Sequence, residues 1–165
     1  MNGLTSMRRN QDSEKHLRIT RFVISSILTP LIIAISAYGQ NFIVKKVIDG
    51  DTLLLTNGEY VRLIGVDTPE TKHPEKPVEY FGKEAYLFTQ RMVEGKEVRL
   101  EFVWQRTDKY GRLLAYLFLP DGTFLNAEII KQGYGFAYTR FPFKYLEEFR
   151  RYEREARANR TGLWK

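Results

Sequence analysis

Asp51, Asp67 and Glu70 stand where β-rich runs end, Arg62 lies five residues before Asp67, and Arg112 sits in a later loop. If Asp51 and Asp67 lie at the same end of adjacent strands, their carboxylates converge and suit a hard cation such as calcium or magnesium. A third carboxylate not needed as a ligand, Glu70, can hold and deprotonate a water. Arginines beside them neutralise a phosphate as negative charge builds in a transition state. Taken singly, each motif is ordinary: Asp49-Gly50-Asp51 is a turn, and Asp67-Thr68-Pro69-Glu70 is a turn or a helix cap.

Composition removes the competing chemistries. The 165 residues include no cysteine and only two histidines, His16 and His73, which excludes disulfide scaffolds, thiolate metal sites and cysteine nucleophiles. At 43% hydrophobic and 14% aromatic the chain is too apolar for a disordered tail. There are 26 Lys+Arg against 20 Asp+Glu, a net charge of +6 and a pI near 9.5. Five of the basic and two of the acidic side chains fall in residues 1–39, so half of the net charge belongs to that segment.

The chain divides near residue 40. Polar, basic residues 1–21 precede the uncharged run Phe22–Tyr38, and small residues follow at Ala34, Ser36, Ala37 and Gly39. A positive region, an apolar run and small residues make a secretory signal; the competing reading is an uncleaved N-terminal anchor. As a helix the run would span about 25 Å, short of the roughly 30 Å hydrocarbon core. Residues 1–39 are therefore expected to direct export, with membrane attachment only if they stay uncleaved, and 40–165 to form one globular domain.

In that domain Phe42–Ile48, Thr52–Thr56 and Glu59–Val66 read as strands joined by tight turns at Asp49-Gly50-Asp51 and Asn57-Gly58. Glu97–Trp104 and Leu113–Leu119 read as two more. Helical spacing over Val78–Val93 places Phe81, Ala85, Phe88 and Met92 on one face, and shorter helices follow at Phe124–Gln132 and Lys144–Ala158. The last helix has Tyr145, Phe149, Tyr152 and Ala156 inward, with mixed Arg and Glu as a solvent face. Trp104 and Trp164 read as packing residues, and His73, Lys72 and Lys76 as exposed loop residues. The fold class expected is mainly β with helices: a five-stranded OB-type barrel with about three packed helices.

Three blocks occur in order: Asp49-Gly50-Asp51-Thr52, then Arg62-Leu63-Ile64-Gly65-Val66-Asp67-Thr68-Pro69-Glu70-Thr71, then Thr107-Asp108-Lys109-Tyr110-Gly111-Arg112. With Phe81-Gly82-Lys83-Glu84-Ala85 and Gly162-Leu163-Trp164, the chain from Phe42 to Trp164 resembles the thermonuclease (staphylococcal nuclease-like) family. The resemblance implies an OB-fold, calcium-dependent nuclease that cleaves the P–O5′ bond of DNA and RNA, leaving 3′-phosphate ends. By position, Asp51, Asp67 and the carbonyl of Thr68 would ligate Ca²⁺, Glu70 would be the general base, and Arg62 and Arg112 would grip the phosphate. Asp49 would orient the site, Lys109 and Tyr110 would contact a nucleotide phosphate, and Tyr138 would pack on or bond to the nucleotide. A monomer acting on DNA and RNA is expected.

Two departures stand out. Gly133–Phe141 is slightly shorter than the family pattern, with Arg140 where a second tyrosine is expected, and the loop before Arg106 is contracted. Neither touches Asp51, Arg62, Asp67, Glu70 or Arg112. A binding module of the same fold that holds nucleic acid without cutting is the alternative; loss of one of those five side chains would mark it, and all five are present.

Overall fold

The computed structural model describes residues 40–71 and 77–165. The expected leader, residues 1–39, and the loop residues Lys72, His73 and Lys76 lie outside them. Five strands close into a barrel: β1 (Gln40–Asp49), β2 (Thr52–Leu55), β3 (Tyr60–Leu63), β5 (Glu97–Thr107) and β6 (Leu113–Phe118), in the spatial order β1-β2-β3-β6-β5. Every pairing is antiparallel except β3 with β6. With three helices packed on it, this is the α+β OB-type barrel that the alternation of the sequence implies.

The interior follows the two-residue period of strands. Leu53 and Leu55, Val61 and Leu63, Val98 and Leu100, and Leu113, Ala115 and Leu117 are buried. Each such Leu or Val removed from water contributes roughly 1.5–3 kcal/mol. On β1 the inward residues are Val44 and Val47, three apart, because the register with β2 shifts between Val44 and Lys46 and again between Val47 and Asp49. These irregularities bend β1 enough for its first half to pair with β5 and its second with β2.

The third strand is shorter than its apolar pattern implies. It stops at Leu63; the chain turns through Ile64 and Gly65, and Val66–Asp67 (β4) leaves the barrel to pair with Phe136–Ala137 (β7). Gly65 has φ +74°, and a Cβ there would lie 2.6 Å from the Phe143 ring. Any other residue would therefore be strained and crowded. Helix α1 (Gly82–Val93) also starts later than the helical spacing implies. Phe81 precedes it at φ 67° with its ring 5.6 Å from that of Tyr134, and a Cβ on Gly82 would press on the carbonyls of Pro69 and Glu70. Trp104 is a plain correction: it is 95% exposed rather than packed.

Helices α2 (Leu125–Lys131) and α3 (Leu146–Ala158) cover the barrel with Leu125, Ile129, Ile130, Phe149 and Ala156 buried. The outer face of α3 carries the Arg150–Glu147, Arg151–Glu155 and Arg157–Glu153 pairs, as its mixed charges suggest. Beyond α3 a short 3₁₀ turn, Gly162–Trp164, returns to the end of α2. There Leu163 N–H donates to Gly133 O at 2.9 Å, and Trp164 meets Phe136 of β7 edge-on at 5.3 Å. Trp164 is thus a packing residue, as expected.

The backbones at Gly133 and Gly162 touch with no space for side chains. A Cβ on Gly133 would lie 2.2 Å from Thr161 O, and φ there is +68°. Gly133→Ala is expected to destabilise by several kcal/mol, well beyond the roughly 1–2 kcal/mol left-handed penalty alone. Gly122→Ala, also at positive φ but with open space around it, supplies that penalty as a control; urea unfolding of the two variants checks the difference.

Candidate active site

The site grows from the β1–β2 turn. Gly50 sits so close to Thr68 that a Cβ would lie 2.7 Å from Thr68 Oγ1. From below, the buried Thr89 hydroxyl of α1 donates to Gly50 O at 2.7 Å. This close approach sets Asp51 beside the Asp67–Thr68 segment. Asp51 Oδ2 accepts the Thr68 N–H at 3.0 Å, and Oδ1 accepts the Thr52 hydroxyl at 2.9 Å.

Arg62 answers whether the two carboxylates converge. Thr52 and Arg62 are register partners on β2 and β3, so Arg62 rises next to the turn. Its Nη1 donates to Leu63 O at 2.9 Å and Val66 O at 2.6 Å, bracing the bend through Gly65. Its Nη2 lies 3.1 Å from Asp51 Oδ2 and 3.1 Å from Asp67 Oδ1. One cationic nitrogen thus touches both carboxylates. Asp51 is nearly buried while the Asp67 side chain is 52% exposed. Burial and the neighbouring charges of Asp51 and Glu79 push the Asp67 carboxyl up, against the pull of Arg62 and Arg140.

Asp49 and Glu70 form the next pair. Asp49 accepts the Gly50 N–H at 2.9 Å and the Thr71 hydroxyl at 2.8 Å, and its carboxyl is hydrogen-bonded to Glu70. Burial, then that contact with Glu70, raise its pKa to about 6, despite the bonds from Thr71 and Gly50. Glu70 itself is exposed, and its backbone N–H donates to Glu79 Oε2 at 3.0 Å.

The β5–β6 hairpin supplies Arg112. Asp108 Oδ2 accepts from Arg112 Nε at 2.8 Å and Nη2 at 2.8 Å, and Oδ1 accepts the backbone N–H groups of Tyr110 and Arg112. Although partial burial disfavours its charge, these bonds hold the Asp108 carboxyl below the usual range. Arg112 Nη1 then approaches Thr52 Oγ1 at 3.5 Å, so Thr52 links Arg112 to Asp51. Lys109 and Tyr110 flank this arginine: Lys109 Nζ is 4.9 Å and Arg112 Cζ 5.4 Å from the ring of Tyr110, which is 72% exposed. On the other flank Tyr138 N–H donates to Gly65 O at 2.9 Å, and Arg140 lies 5.9 Å from the Tyr138 ring.

Asp51, Arg62, Asp67, Thr68, Glu70 and Arg112 therefore gather at one place, with Lys109, Tyr110 and Tyr138 at its margins. Sequence reasoning passed over the residues that hold them. Thr52, Thr71 and Asp108 stood inside quoted motifs without a role, Thr52 reading as the start of a strand and Asp108 as a loop residue, and Glu79 and Thr89 carried no signal. Asn126 did carry one, as the lone amide in an apolar helix. It is fully buried, accepts Leu117 N–H at 3.0 Å and donates to Ile64 O at 2.9 Å and Ala115 O at 3.3 Å, fixing the turn that delivers Asp67.

The donor chemistry fits a hard cation. Two carboxylates that one positive charge can bridge lie beside Thr68; none of the described residues is a histidine, and the chain has no cysteine. Calcium accepts mixed carboxylate, carbonyl and water oxygens in flexible geometry. Among the described residues no third acidic or imidazole side chain completes a protein-only cage, so water would fill the remaining positions.

The raised pKa of Asp49 gives a pH signature. Because its folded value, about 6, exceeds the ordinary 3.8, the native state holds this proton more tightly than the unfolded chain. The associated stability is fully present below pH 3.8 and is lost as pH rises through 6. In metal-free buffer, Asp49→Asn is expected to flatten that part of the stability–pH curve, read from urea midpoints between pH 4 and 7.

Comparison with known proteins agrees with this arrangement. A model of the family described as "Staphylococcal nuclease homologue" matches residues 60–165. The chain is 42% identical to the thermonuclease of Staphylococcus intermedius over 130 residues, covering 76% of this chain and 77% of that one. It is 39% identical to the thermonuclease of Staphylococcus hyicus, over 78% of each. It is also 38% identical to endonuclease YncB of Bacillus subtilis, over 75% of this chain and 61% of the relative. The family match over residues 60–165, with relatives about 40% identical over more than three-quarters of the chain, places this chain in the staphylococcal nuclease homologue family.

Proposed function

We propose that this protein is a calcium-dependent nuclease that hydrolyses DNA and RNA phosphodiesters with little sequence specificity and leaves 3′-phosphate ends. The observation that carries this reading is the single Arg62 nitrogen 3.1 Å from both Asp51 and Asp67. That contact brings the expected metal ligands and a phosphate-binding cation to one point. The nuclease names of the relatives support the reaction class. The leader-like pattern of residues 1–39 supports export, which would keep a non-specific nuclease away from its own cell's nucleic acids; N-terminal sequencing of protein from the native host tests whether that segment is cleaved.

Asp51, Asp67 and the Thr68 carbonyl hold Ca²⁺ in this reading, and the bound ion supplies Lewis-acid neutralisation of the phosphate. Glu70 accepts a proton from the water that attacks phosphorus, and Asp49 lies beside it, bonded to it only while one of the two carboxyls keeps a proton. Arg62 and Arg112 meet the non-bridging oxygens and stabilise the additional charge of the five-coordinate transition state. Arginine suits this better than lysine, since its planar fork engages two oxygens together. Asp108 holds three atoms of Arg112 in place, its backbone N, Nε and Nη2, so the guanidinium is oriented before substrate arrives. Lys109, Tyr110 and Tyr138 contact flanking parts of the nucleotide without reading its base edges.

Heat-denatured DNA and RNA are expected to be degraded with added Ca²⁺ and left intact with a calcium chelator. The product ends should resist polymerase extension until treated with a 3′-phosphatase. Protein that binds DNA but cuts none at any calcium level would instead be the binding module of the same fold. Glu70→Gln should lower kcat by roughly 10²–10⁴-fold with oligonucleotide affinity largely kept; single-turnover cleavage and a filter-binding titration separate the two.

A further inference from the structure

Trp104 is the most exposed large apolar side chain among the described residues, at 95%. It lies where β5 and β6 lose register. Phe102 pairs with Ala115 and Thr107 with Leu113, so β5 takes five steps while β6 takes two, and Val103–Arg106 bulge out of the ladder. The base of the bulge is anchored: the Phe102 ring meets Phe42 edge-on at 6.2 Å and carries the Arg106 guanidinium at 4.4 Å. A large ring is thus set out into water on a braced platform.

Its surroundings indicate what covers it. The hairpin from Trp104 to Arg112 carries Arg106, Lys109 and Arg112 against one acid, Asp108, and that carboxylate is already engaged by Arg112. A second exposed ring, Tyr110, stands on the same hairpin beside Lys109. The hairpin is continuous with the site, because Arg112 reaches Thr52 and through it Asp51. Exposed rings interleaved with cations that outnumber the acids are the composition of a surface for single-stranded nucleic acid, where bases stack and phosphates meet the charges.

We propose that Trp104 is a stacking subsite for an unpaired base of the substrate, outside the catalytic cluster and on the hairpin that carries Arg112. The proposal rests on the nuclease reading above. A stacking ring requires a base free of its duplex partner, so single-stranded DNA, RNA or opened duplex ends are the substrates it recruits. Arg106 and Lys109 take the phosphates on either side. The subsite tolerates any base, since each presents a π-face.

The chain has two tryptophans, and Trp164 is packed against Phe136 and Arg157, so an emission change from an exposed tryptophan reports Trp104. In the cleavage-impaired Glu70→Gln protein, a single-stranded oligonucleotide of a dozen bases is expected to quench that emission, and a blunt duplex of the same length to quench it weakly. In the otherwise unaltered enzyme, Trp104→Ala should raise KM for the long single strand roughly tenfold or more and leave kcat unchanged. It should leave KM unchanged for a dinucleotide-sized phosphodiester, and Trp104→Phe should restore most of the loss. A KM for the long strand that Trp104→Ala leaves unchanged or raises no more than that for the dinucleotide, or no emission change when the oligonucleotide is bound by filter assay, overturns the proposal. An emission response to lipid vesicles or to protein concentration in place of oligonucleotide also overturns it. Absence of cleavage by the unaltered protein would defeat the nuclease reading alone, and the fluorescence titration would still decide the stacking subsite.

Discussion

Two carboxylates brought to one point repel each other, and the whole site is organised around making that arrangement tolerable. Asp51 is nearly buried and Asp67 half-exposed, and the Arg62 guanidinium is the group that touches both. Its second nitrogen is bonded to the carbonyls of Leu63 and Val66, so the same side chain that offsets the repulsion also shapes the bend carrying Asp67. Removing one partner from such a partly buried cluster leaves uncompensated charge, which is costlier than the net contribution of the pair itself. Electrostatics and backbone geometry are therefore one constraint here, applied through one residue.

The barrel serves that constraint by register. Pairing of Thr52 with Arg62 sets the arginine next to the β1–β2 turn. The parallel pairing of β3 with β6 runs Leu63 alongside Ala115, and Asn126 ties the carbonyls of Ile64 and Ala115 to helix α2. The two-stranded β4–β7 pair then carries Asp67 out of the barrel and back over its rim. Asp51 and Asp67 sit at the ends of strands whose inward residues are Leu or Val, so the apolar interior holds the polar rim in place.

What could be read in advance follows physical lines. Alternation in Leu53–Leu55, Val61–Leu63 and Leu113–Leu117 is a direct imprint of a buried face, and the strands there were legible. The apolar run through Val66 also looked like one strand. It is not, because Gly65 at positive φ turns the chain under Phe143, a contact from far along the sequence. The start of α1 was obscured in the same way: Phe81 takes a left-handed conformation that its stacking on Tyr134 supports, and helical spacing is blind to that. Trp104 misled by type, since apolarity argues for the interior whereas a bulge puts the ring outside. The site's acids and arginines were legible as a set because their types leave few other chemistries. The hydroxyls and amide that hold them, Thr52, Thr71, Thr89 and Asn126, were not, because a hydrogen-bond partner is known only once distant segments meet.

The glycine contact between residues 133 and 162 bears on the order in which the protein becomes competent. Synthesis delivers the chain from its amino end, so the barrel strands emerge long before Leu163 and Trp164. The brace on β7, and through it on the Asp67 strand, is completed only when those late residues dock on the end of α2. A chain still emerging from a ribosome, itself built of RNA, would hold Asp51, Arg62, Asp67, Glu70 and Arg112 and yet lack the last support of the strand carrying Asp67. The fold thereby ties maturation of the site to the docking of residues that follow α3.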